Sequence, residues 1–275
     1  MSELNFIKME GAGNDFVVFD NRDYGFSLDE IVEFTPGLCD RRFGIGADGI
    51  LVLESPTVEG VDYTMIYRNA DGSDAGMCGN GSRCLALFAE FKGFDTHQTF
   101  NVHDAVYKAE VDSENNEVRV YFPDVTAPKK LQIGKKRYLQ VHTGTEHVVT
   151  FEDPDRLDDE ESLVDEGRTI RMHPVLNPPG TNVNFVCLND DDSIGLQTYE
   201  RGVEDLTLAC GTGAMASAIA THFVEEIPRA KADYDIHVKG GLLNVSFRFN
   251  EETNNYTDLI LSGPAHFVFQ GIVHV

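Results

Sequence analysis

Cys78-Gly79-Asn80-Gly81 opens a helix-like run to about Phe91, and Cys210-Gly211-Thr212-Gly213 opens another to about Phe223. Each copy sets a thiol at a helix entry, followed by two glycines flanking one small polar residue. Such an entry leaves backbone N–H groups at the positive end of a helix dipole, where an anion binds and a thiolate is favoured. Two copies in one chain point to two sulfurs facing one anionic ligand, with the N–H groups of Gly79, Asn80, Gly211 and Thr212 as its donors.

The repeat extends outward from the cysteines. Tyr67 lies 11 residues before Cys78 and Tyr199 lies 11 before Cys210. Gly13-Asn14-Asp15-Phe16-Val17-Val18 recurs as Gly144-Thr145-Glu146-His147-Val148-Val149, so the two matches share offsets of 131 and 132 residues. A single C-G-x-G carries little weight, but two in register with matched upstream residues describe an internal duplication. The fold expected is therefore α+β, with two pseudo-symmetric halves that each bring a helix N-terminus to a shared cleft.

Around these units the chain reads as alternating strands and a few helices. Strands are expected at Phe6–Met9, Phe16–Phe19, Ile50–Leu53 and Tyr63–Tyr67, with a helix over Leu28–Leu38 capped by Ser27. Thr99–Phe122 reads as two alternating runs about an Asn115-Asn116 turn. Pro123–Lys136 is the expected crossover between domains. Strands resume at Tyr138–Val141, His147–Phe151, Val183–Leu188, Leu196–Tyr199, Leu243–Phe249 and Phe267–Val273. The acidic run Asp153–Glu161 reads as a solvated loop leading into a short helix, and Asp190–Asp192 as a turn, since EF-hand spacing is missing.

Composition narrows the partners. Lys and Arg number 22 against 46 Asp and Glu, a net charge of −24, which repels nucleic acid and anionic membranes. No apolar run approaches the ~18 residues of a membrane span, and the first ten residues are not of signal type. Five cysteines, an odd number, argue against a disulfide framework and for a cytoplasmic location.

Two opposed thiols suit few chemistries. Cys78 and Cys84 lack zinc spacing, Cys39 and Cys187 sit in apolar surroundings as inert core residues, and no C-x-x-C occurs, so neither a metal site nor a redox dithiol is expected. A hydrolase with His147 as base has no use for a second equivalent thiol. Inversion of a carbon centre does: one group removes a proton from one face while the other delivers one to the opposite face. No motif for a nucleotide or pyridoxal phosphate is present, so no cofactor is expected.

The same residues resemble the diaminopimelate epimerase family. The resemblance rests on Asn69-Ala70-Asp71-Gly72-Ser73, Met77-Cys78-Gly79-Asn80-Gly81-Ser82-Arg83-Cys84, the Gly13-Asn14-Asp15-Phe16 loop, Gly44-Ile45-Gly46-Ala47-Asp48-Gly49, Thr181-Asn182-Val183, and Glu200-Arg201 before Ala209-Cys210-Gly211-Thr212-Gly213. It runs from residue 5 to about 271. It implies two domains, each a β-sheet wrapped around a central α-helix: residues 1–122 joined by a returning 264–275, and residues 123–263. It implies cofactor-independent epimerisation of LL- to meso-diaminopimelate for lysine and peptidoglycan precursors, with Cys78 and Cys210 as the acid/base pair. Asn14, Asn69, Asn182 and Arg201 are then the contacts to the distal amino-acid group, and His147 and Glu200 the groups that tune the cysteines. Glu200 also lies among the substrate contacts, and the partners implied are a small-molecule substrate and a second copy in a homodimer.

Two positions depart from the family pattern. Gly144-Thr145-Glu146-His147 stands where Gly-Asn-Pro-His is usual, so Thr145 replaces a substrate-binding Asn, and Gly49 stands where some members carry Gln. The competing readings are a proline-racemase-like or phenazine-type isomerase and a non-catalytic amino-acid-binding module. Two retained cysteines oppose the binding module, and the Asn set with Glu200-Arg201 opposes a substrate lacking a second zwitterionic end.

Overall fold

A computed structural model describes residues 2–74, 76–178, 180–225 and 229–275. The chain divides into two compact units, Met1–Tyr121 with Gly263–Val275, and Phe122–Ser262.

The first unit begins with an antiparallel hairpin of β1 (Glu3–Gly11) and β2 (Asn14–Asp20). Ala12 and Gly13 form its turn with φ of 52° and 84°, the left-handed pair that matches strand twist in a two-residue hairpin. Helix α1 (Leu28–Cys39) starts in a reciprocal capping box between Ser27 and Glu30. It hands the chain to β3 (Gly49–Glu54), parallel to β2, and then to β4 (Tyr63–Asn69), antiparallel to β3.

Next comes α2 (Gly79–Phe91), buried continuously from Gly79 to Ala89. β5 (His97–Val102), β6 (Ala105–Asp112) and β7 (Glu117–Phe122) follow, β5 parallel to β4 and the rest a meander. The region expected as two runs thus holds three strands, because the chain also reverses at His103, a non-glycine residue at φ 50°.

The second unit repeats the same order. β8 (Val125–Thr126) and β9 (Lys129–Ile133) occupy the stretch expected as a crossover. β9 pairs antiparallel with β10 (Lys136–His142), and β10 with β11 (Glu146–Phe151). The acidic run is helical rather than a loop. It supplies α3 (Pro154–Leu157) and the entry to a twelve-residue α4 (Glu160–Arg171), where Asp159 caps the Ser162 N–H. Carboxylates in the first turn and Arg168 and Arg171 in the last follow the helix dipole, which period and charge counting alone overlooked.

β12 (Asn182–Leu188) runs parallel to β11, and β13 (Ile194–Glu200) and β14 (Asp205–Thr207) continue antiparallel. Helix α5 (Gly211–Val224) is buried from Gly211 to His222. β15 (Lys231–Val238), parallel to β13, leads into β16 (Gly241–Asn250) and β17 (Asn255–Pro264). The last strand, β18 (His266–His274), belongs to the first unit and flanks β1 as β9 flanks β10.

Each unit is thus a curved sheet with one helix inside it. Small residues make this possible: α5 reads Gly-Thr-Gly-Ala-Met-Ala-Ser-Ala-Ile-Ala-Thr, so strands approach it on every side. Among the described residues no helix is long and apolar enough to cross a membrane.

Phe88, 2% exposed on α2, fills the first unit's interior. Phe88→Ala should lower unfolding free energy by ~3 to 5 kcal/mol, read as a drop in the urea midpoint with unchanged slope.

Candidate functional site

Each unit starts its buried helix at a cysteine. Cys78 and Cys210 are the N-cap residues of α2 and α5, with the same backbone angle, φ −122°. The glycine at the third helical position of each sits in close packing. A Cβ on Gly81 would sit 2.9 Å from Leu51 Cδ2, and one on Gly213 would sit 2.5 Å from Asn184 Oδ1.

In the first unit the Gly81 N–H donates to Cys78 Sγ at 3.3 Å, so the sulfur caps the helix as a serine hydroxyl would. The Cys78 thiol lies 3.9 Å from Asn14 Oδ1, which also accepts from Asn80 Nδ2 at 3.4 Å. Asn14 Nδ2 donates to Asp48 Oδ2 at 2.7 Å. Arg41 joins Asp48 to Asp15, with Nη2 at 2.7 Å from one oxygen of each, and Lys8, buried on β1, pairs with Asp15 at 2.6 Å and donates to the Gly46 carbonyl. Burial pushes the Asp15 carboxyl up, but hydrogen bonds from Arg41 and Lys8 outweigh it and hold it at about 2.

One rung explains why these residues meet: Phe16 of β2 pairs with Gly49 of β3, which pairs with Asn69 of β4. Asn14, Asp48 and Asn69 therefore share one end of the sheet. Asn69 donates through Nδ2 to Ser73 Oγ at 3.0 Å, bracing the turn that leads toward α2.

In the second unit Cys210 Sγ lies 3.5 Å from Thr212 Oγ1, and Thr143 Oγ1 donates to the Thr212 carbonyl at 3.0 Å. His147 and Asn182 are register partners on the parallel strands β11 and β12. Asn182 Oδ1 accepts the Arg201 backbone N–H at 2.8 Å, and Arg201 Nη2 donates to Thr145 Oγ1 at 3.1 Å. The threonine that departs from the family pattern is thus an acceptor for Arg201. Glu200 ends β13, and its carbonyl accepts the Glu204 N–H at 2.8 Å.

His147 has no exposed surface. Asn184 Nδ2 lies 3.0 Å from its Nδ1 and Asn182 Nδ2 lies 3.5 Å from its Nε2, so amide groups hold the ring at both nitrogens. Burial pulls its pKa down to about 3, so the imidazole is neutral throughout the working range.

Cys39, Cys84 and Cys187 are also buried, and burial pushes all three thiols up, Cys39 to about 12. They remain protonated, in keeping with the apolar surroundings expected for Cys39 and Cys187.

Residue-by-residue reading missed Lys8, Asp15, Arg41 and Asp48, although Asp15 and Asp48 lie inside quoted motifs. It also missed Asn184, which faces both His147 and the Gly213 turn. The signal was present as polar residues inside strand patterns, but which of them converge is set by parallel pairing.

The model of the family described as diaminopimelate epimerase matches residues 6–126 and 139–268. The chain belongs to the diaminopimelate epimerase family. The first segment matched carries Cys78 and the second carries Cys210. Diaminopimelate epimerase from Flavobacterium psychrophilum is 38% identical over 97% of this chain and 99% of its own length. That from Chlorobaculum tepidum is 39% identical over 96% and 99%.

Among solved structures, a PhzF-family phenazine biosynthesis protein from Bacillus anthracis superposes with a TM-score of 0.75 at 13% identity, covering 100% of both chains. A hydroxyproline epimerase from Agrobacterium vitis superposes with a TM-score of 0.73 at 14% identity, over 98% of this chain and 92% of that one. These share the α+β fold of this chain.

Since the pKa of His147 falls from 6.5 to about 3 on folding, its contribution is full above pH 6.5 and is lost as pH drops toward 3. Asp15 contributes its own loss only below its ordinary value of 3.8. Urea unfolding between pH 6.5 and 4 should therefore show a His147-dependent slope of up to ~1.4 kcal/mol per pH unit. His147→Gln should flatten it.

Proposed function

We propose that this chain interconverts LL- and meso-diaminopimelate by moving one proton across an α-carbon, with Cys78 and Cys210 as the acid/base pair and no pyridoxal phosphate. The observation that carries the reading is that both units cap a buried helix with a cysteine at one backbone geometry. One cysteine acts as thiolate and takes the α-hydrogen as a proton, leaving its electron pair on carbon. The other, a thiol, gives its proton to the opposite face. The C–H bond broken on one side is re-formed on the other, and the two sulfurs have exchanged protonation states, ready for the reverse reaction.

The carbanion lies next to the substrate α-carboxylate, whose charge the N–H groups of Gly79, Asn80, Gly211 and Thr212 offset in a site of low dielectric. Asn14, Asn69, Asn182 and Arg201 hold the distal amino-acid group: Arg matches a carboxylate, and Asn offers donor and acceptor to a zwitterion. His147, neutral and fixed, and Glu200 set the proton affinity of the cysteines as neighbours rather than as bases.

The identities favour this substrate over those of other proteins with the same fold. Curated diaminopimelate epimerases reach 35 to 39% identity, against 9 to 16% for the phenazine-type and proline-type structures. We further place the reaction in lysine and peptidoglycan precursor supply, in the cytoplasm, where thiols remain reduced. The homodimer belongs to the same proposal.

In D₂O without added cofactor, LL-diaminopimelate should acquire one α-deuterium as it converts to the meso form. Cys78→Ala and Cys210→Ala should each lower kcat by ~10² to 10⁴-fold, whereas Cys39→Ala should retain turnover. Full epimerisation by Cys78→Ala would refute the two-base mechanism.

A further inference from the structure

Arg83 has no exposed surface, yet it lies on α2 five residues after Cys78. Its guanidinium donates to three neutral oxygens: the Gly79 carbonyl at 3.1 Å, Asn80 Oδ1 at 2.9 Å and the Pro264 carbonyl at 3.2 Å. Among the described residues no carboxylate forms an ion pair with it. A buried cation normally recruits an anion, because its desolvation is otherwise uncompensated.

The groups around α2 supply little of that compensation. On α2 itself, Cys84 is buried and its thiol is pushed up, so it stays neutral. On β1, Glu10 acts on Arg83 from a distance while bonded to His266 at 2.6 Å and to the Gly13 N–H at 2.9 Å. Lys8 of β1 is tied to Asp15 of β2, and Arg68 of β4 to Asp74. β3 sets Leu51 against Gly81, and on β6 Lys108 faces solvent while Glu110 pairs with Arg119. Asn80, whose Oδ1 accepts from Arg83, points its Nδ2 at the same Asn14 Oδ1 that lies 3.9 Å from the Cys78 sulfur.

We propose that Arg83 is a positioning residue that holds Cys78 as the thiolate, by fixing one positive charge in the water-free interior behind the helix start. This rests on the acid/base role of Cys78 given above. The guanidinium acts in two ways. Its charge attracts the thiolate through a medium of low dielectric, and its hydrogen bond to Asn80 Oδ1 turns the Asn80 amide so that Nδ2 faces Asn14 beside the sulfur. At the matched place in the other helix, five residues after Cys210, the chain carries Met215. Methionine is therefore a substitution that this fold already accepts at such a position.

The test measures iodoacetamide alkylation of Cys78 in the full chain from about pH 5 to about pH 10, read by peptide mass, alongside the pH profile of kcat/KM. In the unaltered protein the alkylation midpoint should lie below the ordinary thiol value of about 8.5. Arg83→Met should raise it by about 1 to 2 pH units, and the acid limb of kcat/KM should move up by the same amount. Arg83→Lys, which keeps the charge, should leave the midpoint within about half a unit of the unaltered protein. A midpoint that Arg83→Met does not move overturns the proposal. So does a midpoint at or above about 8.5 in the unaltered protein, a reading that needs no variant to fold. Alkylation does not require turnover, so a chain lacking epimerase activity but showing the Arg83-dependent midpoint would refute the function and leave this inference intact.

Discussion

A helix enclosed by strands on every side must still satisfy the N–H groups of its first turn, which have no acceptor within the helix. In the first unit that need is met in part by a sulfur, with the Gly81 N–H donating to Cys78 Sγ. The same donor field that stabilises the helix start stabilises negative charge on the sulfur. The rest of the unit keeps that interaction in place. Gly81 lets the turn sit against Leu51, the rung through Phe16, Gly49 and Asn69 fixes the strand ends beside it, and Asn14 stands next to the thiol.

The charged network behind Asn14 is the clearest case of support reaching the site through a neighbour. Lys8, Asp15, Arg41 and Asp48 form a chain of hydrogen-bonded pairs that ends on the Asn14 amide. A buried lysine is costly unless paired, and here the pairing also fixes the orientation of an asparagine. In the second unit neutral groups do comparable work. Asn184 holds the His147 ring, accepts from Thr198 Oγ1 at 3.0 Å, and packs against Gly213. The two halves share backbone geometry at the cysteine and differ in the polarity of what lies behind it, with Arg83 in one and Met215 in the other.

Five cysteines with one covalent state have two environments. Cys39, Cys84 and Cys187 lie within the cores, where burial raises the proton affinity of the thiol. Cys78 and Cys210 instead stand at the N-cap positions of α2 and α5. The difference is one of position in the fold rather than of residue type.

The sequence by itself determined the local elements and which thiols stand at helix starts. The Ser27 cap, the helix starts at Cys78 and Cys210 and the strands from β1 to β4 follow from turn chemistry and periodicity within a few residues, and the repeat followed from matched spacing. Local reading missed the helical character of the acidic run, where charge resembled a solvated loop, and the strands within Pro123–Lys136. Only the tertiary structure decided that Asp15 and Asp48 share Arg41, that Asn184 reaches the His147 ring, that His147 is neutral, and that Arg83 is buried. The physical reason is common to all four. Periodicity records which face of an element is apolar, whereas charge state and polar partnership depend on which distant segments exclude water from the same place.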